Sequence, residues 1–237
     1  MLNLALLETP GFWWTVLNGL VTTAALTVLS MAFGFLLGGA LATLHQYAGA
    51  PALRIAAKTY IFVFRGVPLL ILLFLVYYGM PRIAWLRGGL FWDLVLSSPF
   101  RTAVFVLSIN NAAYLAEMIR GGLKMVPRGL LEAAVALGMT RKRAFFRVHA
   151  PLALRSILGN LGNETVAVIK ASAITSVITV HDLMGGPTIL GKIHLDPLTP
   201  LLVVGLIYIL IVQIIDHLIT RLQAHLAVEG IGYVRNL

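Results

Sequence analysis

Between Glu8 and Arg54 the chain carries no Asp, Glu, Lys or Arg. Few folds accept a run this long and this apolar. A helix of about 20 apolar residues crosses the roughly 30 Å hydrocarbon core of a bilayer. It can do so because a helix satisfies its own backbone hydrogen bonds where no water is present. Val16 to Leu44 is therefore expected to form a first membrane span, with Trp13 and Trp14 as interfacial anchors before it. Gly34 and Gly38 have the spacing that lets two membrane helices approach closely. Only 11% of the 237 residues are charged, against about a quarter in a soluble domain. The reading is an all-α polytopic membrane protein, with residues 1–237 as one transmembrane domain.

Four further spans are expected, at about 59–80, 101–120, 158–180 and 198–218. Arg65 falls near the start of the second and is expected to snorkel to the interface, and Pro68 to kink the helix. Residues 81–100, with Trp85 and Trp92, read as an interfacial segment. The third span carries Asn110, Tyr114 and Glu117 on one helix face. A polar stripe in a membrane must face protein or water, so two roles are open to it: bonding between helices, or the wall of a substrate path. Glu117 also has Arg120 within pairing distance along the helix. The fourth span carries Asn163, Glu164 and Lys170. Residues 181–196 read as a re-entrant or external loop. Its His181, Asp182, His194 and Asp196 match no zinc spacing and are expected to be solvated.

The net charge of +9 follows the same logic. With the N-terminus outside, Arg54, Lys58 and Arg65, the basic loop from Arg120 to Arg155, and Arg221 and Arg235 all fall inside. Only Arg82, Arg87, Arg101 and Lys192 fall outside, and Lys170 is intramembrane. This is the positive-inside asymmetry of inner-membrane proteins, and it accounts for the basic surplus without nucleic acid. No cleaved signal peptide is expected, since no basic segment precedes the first span. Cysteine is absent, which excludes disulfide frameworks and thiolate metal sites.

The most charged stretch is Val126 to Pro151, VPRGLLEAAVALGMTRKRAFFRVHAP. Pro127 suits a helix start, Gly138 a left-handed helix end and Thr140 a second cap, and Pro151 is expected to stop the second helix. The expectation is a two-helix cytoplasmic knob with a glycine elbow, within a loop at 121–157. Glu132, Ala133 and Ala134, then Gly138, then Val148-x-Ala150-Pro151 resemble the EAA loop of ABC importer permeases, with Val148 and Ala150 where Ile and Leu are usual. Tyr60 to Pro81, with Arg65-Gly66-Val67-Pro68, looks like the second span of the polar amino-acid and opine permease family. Leu107 to Pro127 resembles its third span, and Asn163-Glu164 with Lys170-Ala171-Ser172 its fourth.

The resemblance implies the transmembrane subunit of an ATP-driven importer in a bacterial inner membrane, carrying a polar amino acid or opine. It implies a second permease subunit, an ABC ATPase dimer holding ATP and Mg, and an extracytoplasmic binding protein. This chain then holds no cofactor and no catalytic site, in keeping with its lack of a GxxxxGK[ST] phosphate loop. Glu132, Ala133, Ala134, Gly138 and Pro151 become the expected coupling residues. Asn110, Asn111, Tyr114, Glu117, Asn163, Glu164, Lys170 and Ser172 become the expected substrate-path residues. Lys170 has two roles open: pairing with Glu117 or Glu164, or facing a wet cavity. An ion-coupled secondary transporter is the rival reading, and a membrane enzyme a weaker one.

Overall fold

The computed structural model describes residues 6–226, so Arg235 of the charge argument lies outside the described residues. Every regular element among them is helical. The helices are α1 (Pro10–Tyr47), α2 (Pro51–Gly66), α3 (Leu69–Phe74), α4 (Pro99–Met125), α5 (Arg128–Ala136), α6 (Arg141–Ala144), α7 (Ala150–Ser156), α8 (Leu158–Ser172), α9 (Gly185–Ile193) and α10 (Leu198–Leu226). Among these, α1, α4 and α10 are each long and apolar enough to cross a membrane. At 38 residues α1 is about 57 Å long, so it projects beyond the hydrocarbon.

The centre of the fold is the α1–α4 seam. A Cβ on Gly34 would stand 2.9 Å from Asn111 Nδ2, and one on Gly38 would stand 2.9 Å from the Ala112 carbonyl oxygen. Ser30 Oγ donates to the Val104 carbonyl at 3.5 Å. Contacts advance together along both helices, so α1 and α4 run parallel. The two glycines do pack helix against helix, as their spacing suggested. On α8 the order reverses against α10: Gly159 faces Gln223 and Gly162 faces Ile219, so these two helices are antiparallel.

Residues 59–80 do not form one kinked helix. They divide between α2 and a run beginning at α3, bent by 103° between Pro51–Gly66 and Leu69–Arg82. Val67, extended at φ −87° and ψ 127°, forms the break, as expected of a residue crowded by the proline ring after it. The fourth span also changes character: α8 ends at Ser172 and the chain tightens to a 3₁₀ helix over Ala173–Ile178. Residues 80–96 hold short helical turns, at Met80–Arg82, Ala84–Leu86 and Trp92–Leu96.

The stretch at 181–196 is not a solvated loop. It contains α9, and Asp182 and Asp196 are buried, at 0% and 7% exposure. Both act as local caps. Asp182 Oδ1 accepts the Gly185 N–H at 2.7 Å, and Asp196 Oδ1 accepts the Leu198 and Thr199 N–H groups at 3.2 Å each. The chain presses closely on α1 here, since a Cβ on Gly19 would stand 2.7 Å from the Asp182 carbonyl oxygen. His181 and His194 are exposed, as expected.

Candidate functional site

Two regions carry the polar chemistry. The first is the arm from α5 to α7. Helix α5 ends at Gly138, whose φ is +86°. The Met139 N–H reaches back to the Ala134 carbonyl and the Gly138 N–H to that of Val135, at 3.1 and 2.9 Å. This pair of bonds is a Schellman motif, which needs a left-handed residue at the turn. Thr140 Oγ1 accepts the Arg143 N–H at 3.3 Å and starts α6. Pro127 sits at the N-cap of α5, one residue before the expected position.

Pro151 does not stop the second helix. The chain passes through a π-helical turn at Phe145–His149 and continues as α7 to Ser156. Pro151 lies in the first turn of α7, where a missing N–H is tolerated. The arm is fastened to the end of α4. His149 Nε2 bonds the Leu123 carbonyl oxygen at 2.9 Å, and Leu123, Val126 and Ala153 are buried together with Phe145 and Leu152 against them. Ala134 is buried, Glu132 and Ala133 are exposed, and Leu137 at the elbow is 84% exposed.

The second region is a cleft of about 550 Å³ between α1, α2 and α4, lined by His45, Lys58, Arg65, Tyr114, Glu117 and Arg120 among others. Glu117 is gripped by the Arg120 fork: Nε donates to Oε1 at 3.1 Å and Nη2 to Oε2. His45 Nδ1 stands 3.7 Å from Oε1. Rather than snorkelling freely, Arg65 lies over the Tyr114 ring, 5.4 Å from its centroid, within cation–π range.

Asn110 turns out to serve the bend. A continuous helix would bond residue 68 N–H to the Phe64 carbonyl, but proline has no N–H. Asn110 Nδ2 donates to that orphaned Phe64 oxygen at 2.8 Å. One turn away, the Tyr60 hydroxyl donates to the Ile109 carbonyl at 2.8 Å. Asn111 points away from the cleft, buried in the α1–α4 seam with Nδ2 3.1 Å from Met31 Sδ. Ser172 is also buried and donates to the Ile169 carbonyl at 2.8 Å. Asn163 and Lys170 are exposed on α8 and Glu164 is half-buried. Among the described residues Lys170 pairs with neither acid.

The structure thus brings Tyr114 and Glu117 together with Arg65, Lys58 and His45, which the sequence had not grouped. The available signal was the Arg65–Pro68 spacing, since a proline break next to a polar stripe leaves backbone to be satisfied.

These features define a helical membrane protein with a projecting two-helix arm. Residues 34–228 match the family of binding-protein-dependent transport system inner membrane components, and the chain belongs to that family. It is the transmembrane subunit of an ABC importer, and the ion-coupled reading has no support. The octopine transport system permease protein OccM of Rhizobium radiobacter is 34% identical over 218 residues, covering 90% of this chain and 88% of that one. The arginine transport system permease protein ArtQ of Bacillus subtilis (strain 168) is 35% identical over 200 residues, covering 84% and 87%. A crystal structure of an amino acid ABC transporter with histidines superposes with a TM-score of 0.77 at 33% identity, covering 89% of this chain and 94% of that one.

Proposed function

We propose that the chain is one transmembrane domain, residues 1–237, of an importer for a polar amino acid or opine, in line with the relatives named above. Its five crossings are α1, the bent α2–α3 pair, α4, the run 158–178 and α10, with the N-terminus outside and the C-terminus cytoplasmic. A second permease subunit, identical or homologous, completes the path. An extracytoplasmic binding protein delivers the substrate, and an ATPase dimer hydrolyses ATP with Mg. Tyr114, Glu117 and Glu164 line the path, with Arg65.

The α5–α6 arm is the lever on which the ATPase docks. The observation that carries this is the Schellman elbow at Gly138, clamped to α4 by the His149–Leu123 bond. A rigid arm transmits displacement, where a flexible loop would absorb it. Glu132, Ala133 and Leu137 present the docking face, Ala134 packs beneath it, and Pro151 opens α7, which fastens the arm to α4. The test is ATPase retention on tagged permease. Gly138→Asp strains a left-handed position and adds a charge, so retention and substrate-stimulated hydrolysis should both fall. Glu132→Ala should weaken them less. Normal retention and normal stimulation in Gly138→Asp would reject the lever.

A further inference from the structure

We propose that the groove between α1 and α4 is a phospholipid site, with the headgroup phosphate on Arg101 and an acyl chain along the groove. The site goes beyond the transport reading above and needs only that α1 and α4 cross the bilayer.

The groove has a volume of about 650 Å³. Leu29, Phe33 and Leu36 of α1 line one side, and Val104 and Phe105 of α4 the other. Leu94, from the helical turn at Trp92–Leu96, lines it as well. Along α4 the lining runs from Arg101 to Ile109, and along α1 from Leu29 to Leu37. Each stretch is about 12 Å of helix at 1.5 Å per residue. One leaflet fills about half of the roughly 30 Å hydrocarbon core, so the groove is nearly as deep as one leaflet. Phe33, Leu36 and Leu94 are exposed, Leu36 to 71%, and this chain leaves the groove open on that side. The Ser108 hydroxyl, which also lines it, is already engaged, donating to the Val104 carbonyl at 2.6 Å. Below Arg101 the groove therefore asks for nothing polar.

Charge sits at one end. Arg101 stands in the first turn of α4, where the helix dipole is also positive, and no acidic residue lies in that turn. Two positive contributions thus coincide where α4 enters the bilayer. Arg101 is oriented by its neighbours: Nη1 donates to the Asp93 carbonyl at 2.5 Å and to Ser97 Oγ at 3.3 Å. Nε and Nη2 make no bond among the described residues. Asp93 offers its carbonyl and not its carboxylate, since Arg101 forms no ion pair among the described residues. The open guanidinium edge is a fork that matches two phosphate oxygens. The order of these features selects the occupant. A transmembrane helix of another subunit would fill the apolar groove and leave the cation unanswered. A free anion would answer the cation and leave the groove empty. A phospholipid does both, because its phosphate lies at the interface and its chains run inward alongside the helices. Held there, it clasps α1 to α4 and to the turn at Trp92–Leu96.

The test uses tagged permease purified with its accompanying subunits and stripped of lipid in dodecyl maltoside. Native mass spectrometry follows the binding of palmitoyl-oleoyl phosphatidylethanolamine and of palmitoyl-oleoyl glycerol, which has the same chains and no phosphate. The phospholipid should bind about tenfold more tightly. Arg101→Gln should erase that difference while binding of the diacylglycerol persists, which shows the groove intact. Arg101→Lys should keep part of the difference. Excess inorganic phosphate should not displace the phospholipid. Equal binding of the two lipids, no binding of either, an unchanged difference in Arg101→Gln, or displacement by phosphate would overturn the proposal. Position 36 supplies a second measurement. A p-benzoylphenylalanine in place of Leu36, irradiated in native membranes, should gain the mass of a phospholipid. A cross-link to a second permease subunit would instead make the groove a subunit interface and overturn the lipid assignment.

Discussion

Helices α4 and α10 look interchangeable by length, at 27 and 29 residues, and both are apolar enough to cross a membrane. Their surroundings differ. Within an 18-residue apolar stretch of α4, 61% of the residues are buried within the chain, against 17% for that of α10. The reason lies in what each carries. Asn110, Asn111, Tyr114 and Glu117 sit on α4, and polar groups cannot face hydrocarbon unsatisfied. The more polar helix is therefore the central post, and the greasier one stands at the edge with Leu202, Leu206, Ile209 and Leu210 exposed. Hydrophobicity alone selects which segments enter the bilayer, and polarity selects which of them lie inside the protein.

The sharpest way to break this contrast is to add bulk to each helix's surroundings. Gly38→Leu on α1 would drive a side chain into the Ala112 carbonyl and Leu115 of α4, whereas a Cβ on Gly205 of α10 meets nothing within 4 Å. Overpacking typically costs about 1–3 kcal/mol and can cost more where backbone must move. Gly38→Leu should sharply reduce membrane yield and detergent melting temperature, and Gly205→Leu should leave both near wild type. Equal effects would dissolve the distinction between post and edge.

A smaller effect is expected at the proline break. Asn110→Leu leaves the Phe64 oxygen without its donor, and a buried unsatisfied carbonyl costs about 1–3 kcal/mol. Restoring an N–H with Pro68→Leu lets the helix satisfy Phe64 itself. The Asn110→Leu penalty should then shrink in the Pro68→Leu background. A purely additive double mutant would show that Asn110 is not there for the bend.

Smaller again is the response of the α9 cap to pH. Burial pushes the Asp182 carboxyl up to about 6, with backbone N–H groups near Gly185 opposing the rise. A carboxyl whose folded-state value lies above its ordinary 3.8 favours folding while protonated. Its contribution is complete below about pH 4 and is lost as pH rises through about 6. Wild type should therefore gain thermal stability between pH 7 and 5 relative to Asp182→Asn, whose curve should be flatter over that window. Parallel curves would remove Asp182 as the cause.

The least effect is expected at Lys170, which is exposed and makes no ion pair among the described residues. Lys170→Met should change stability by no more than about 0.5 kcal/mol. A marked loss of yield would mean that a partner outside this chain holds the ammonium, and would argue for burial of this face of α8 in the assembled transporter.

Much of the fold could be read before any coordinates, wherever the physics was local. The left-handed Gly138, the Thr140 cap and the Gly34–Gly38 contact each depend on a few neighbouring residues or on a helical spacing, and each appears as expected. Expectations failed where distant chain intervened. Pro151 reads locally as a stop, yet a π turn upstream and the packing of Ala153 against Leu123 and Val126 carry the helix through it. Asp182 reads as a loop residue because nothing nearby in sequence announces that α1 will close over it at Gly19. Asn110 bonds the carbonyl that Pro68 orphans, a partner 46 positions away that nothing in its own helix announces.

The division follows from range. Hydrocarbon length and turn stereochemistry act on contiguous residues, so the amino-acid sequence alone determined the membrane class, the three long apolar helices and the elbowed arm. Which polar groups meet is a matter of how helices cross. Only the tertiary structure could decide that Asn110 meets the Phe64 carbonyl and that Arg65 lies over Tyr114, because such contacts depend on distances of a few ångströms between side chains that helix packing positions.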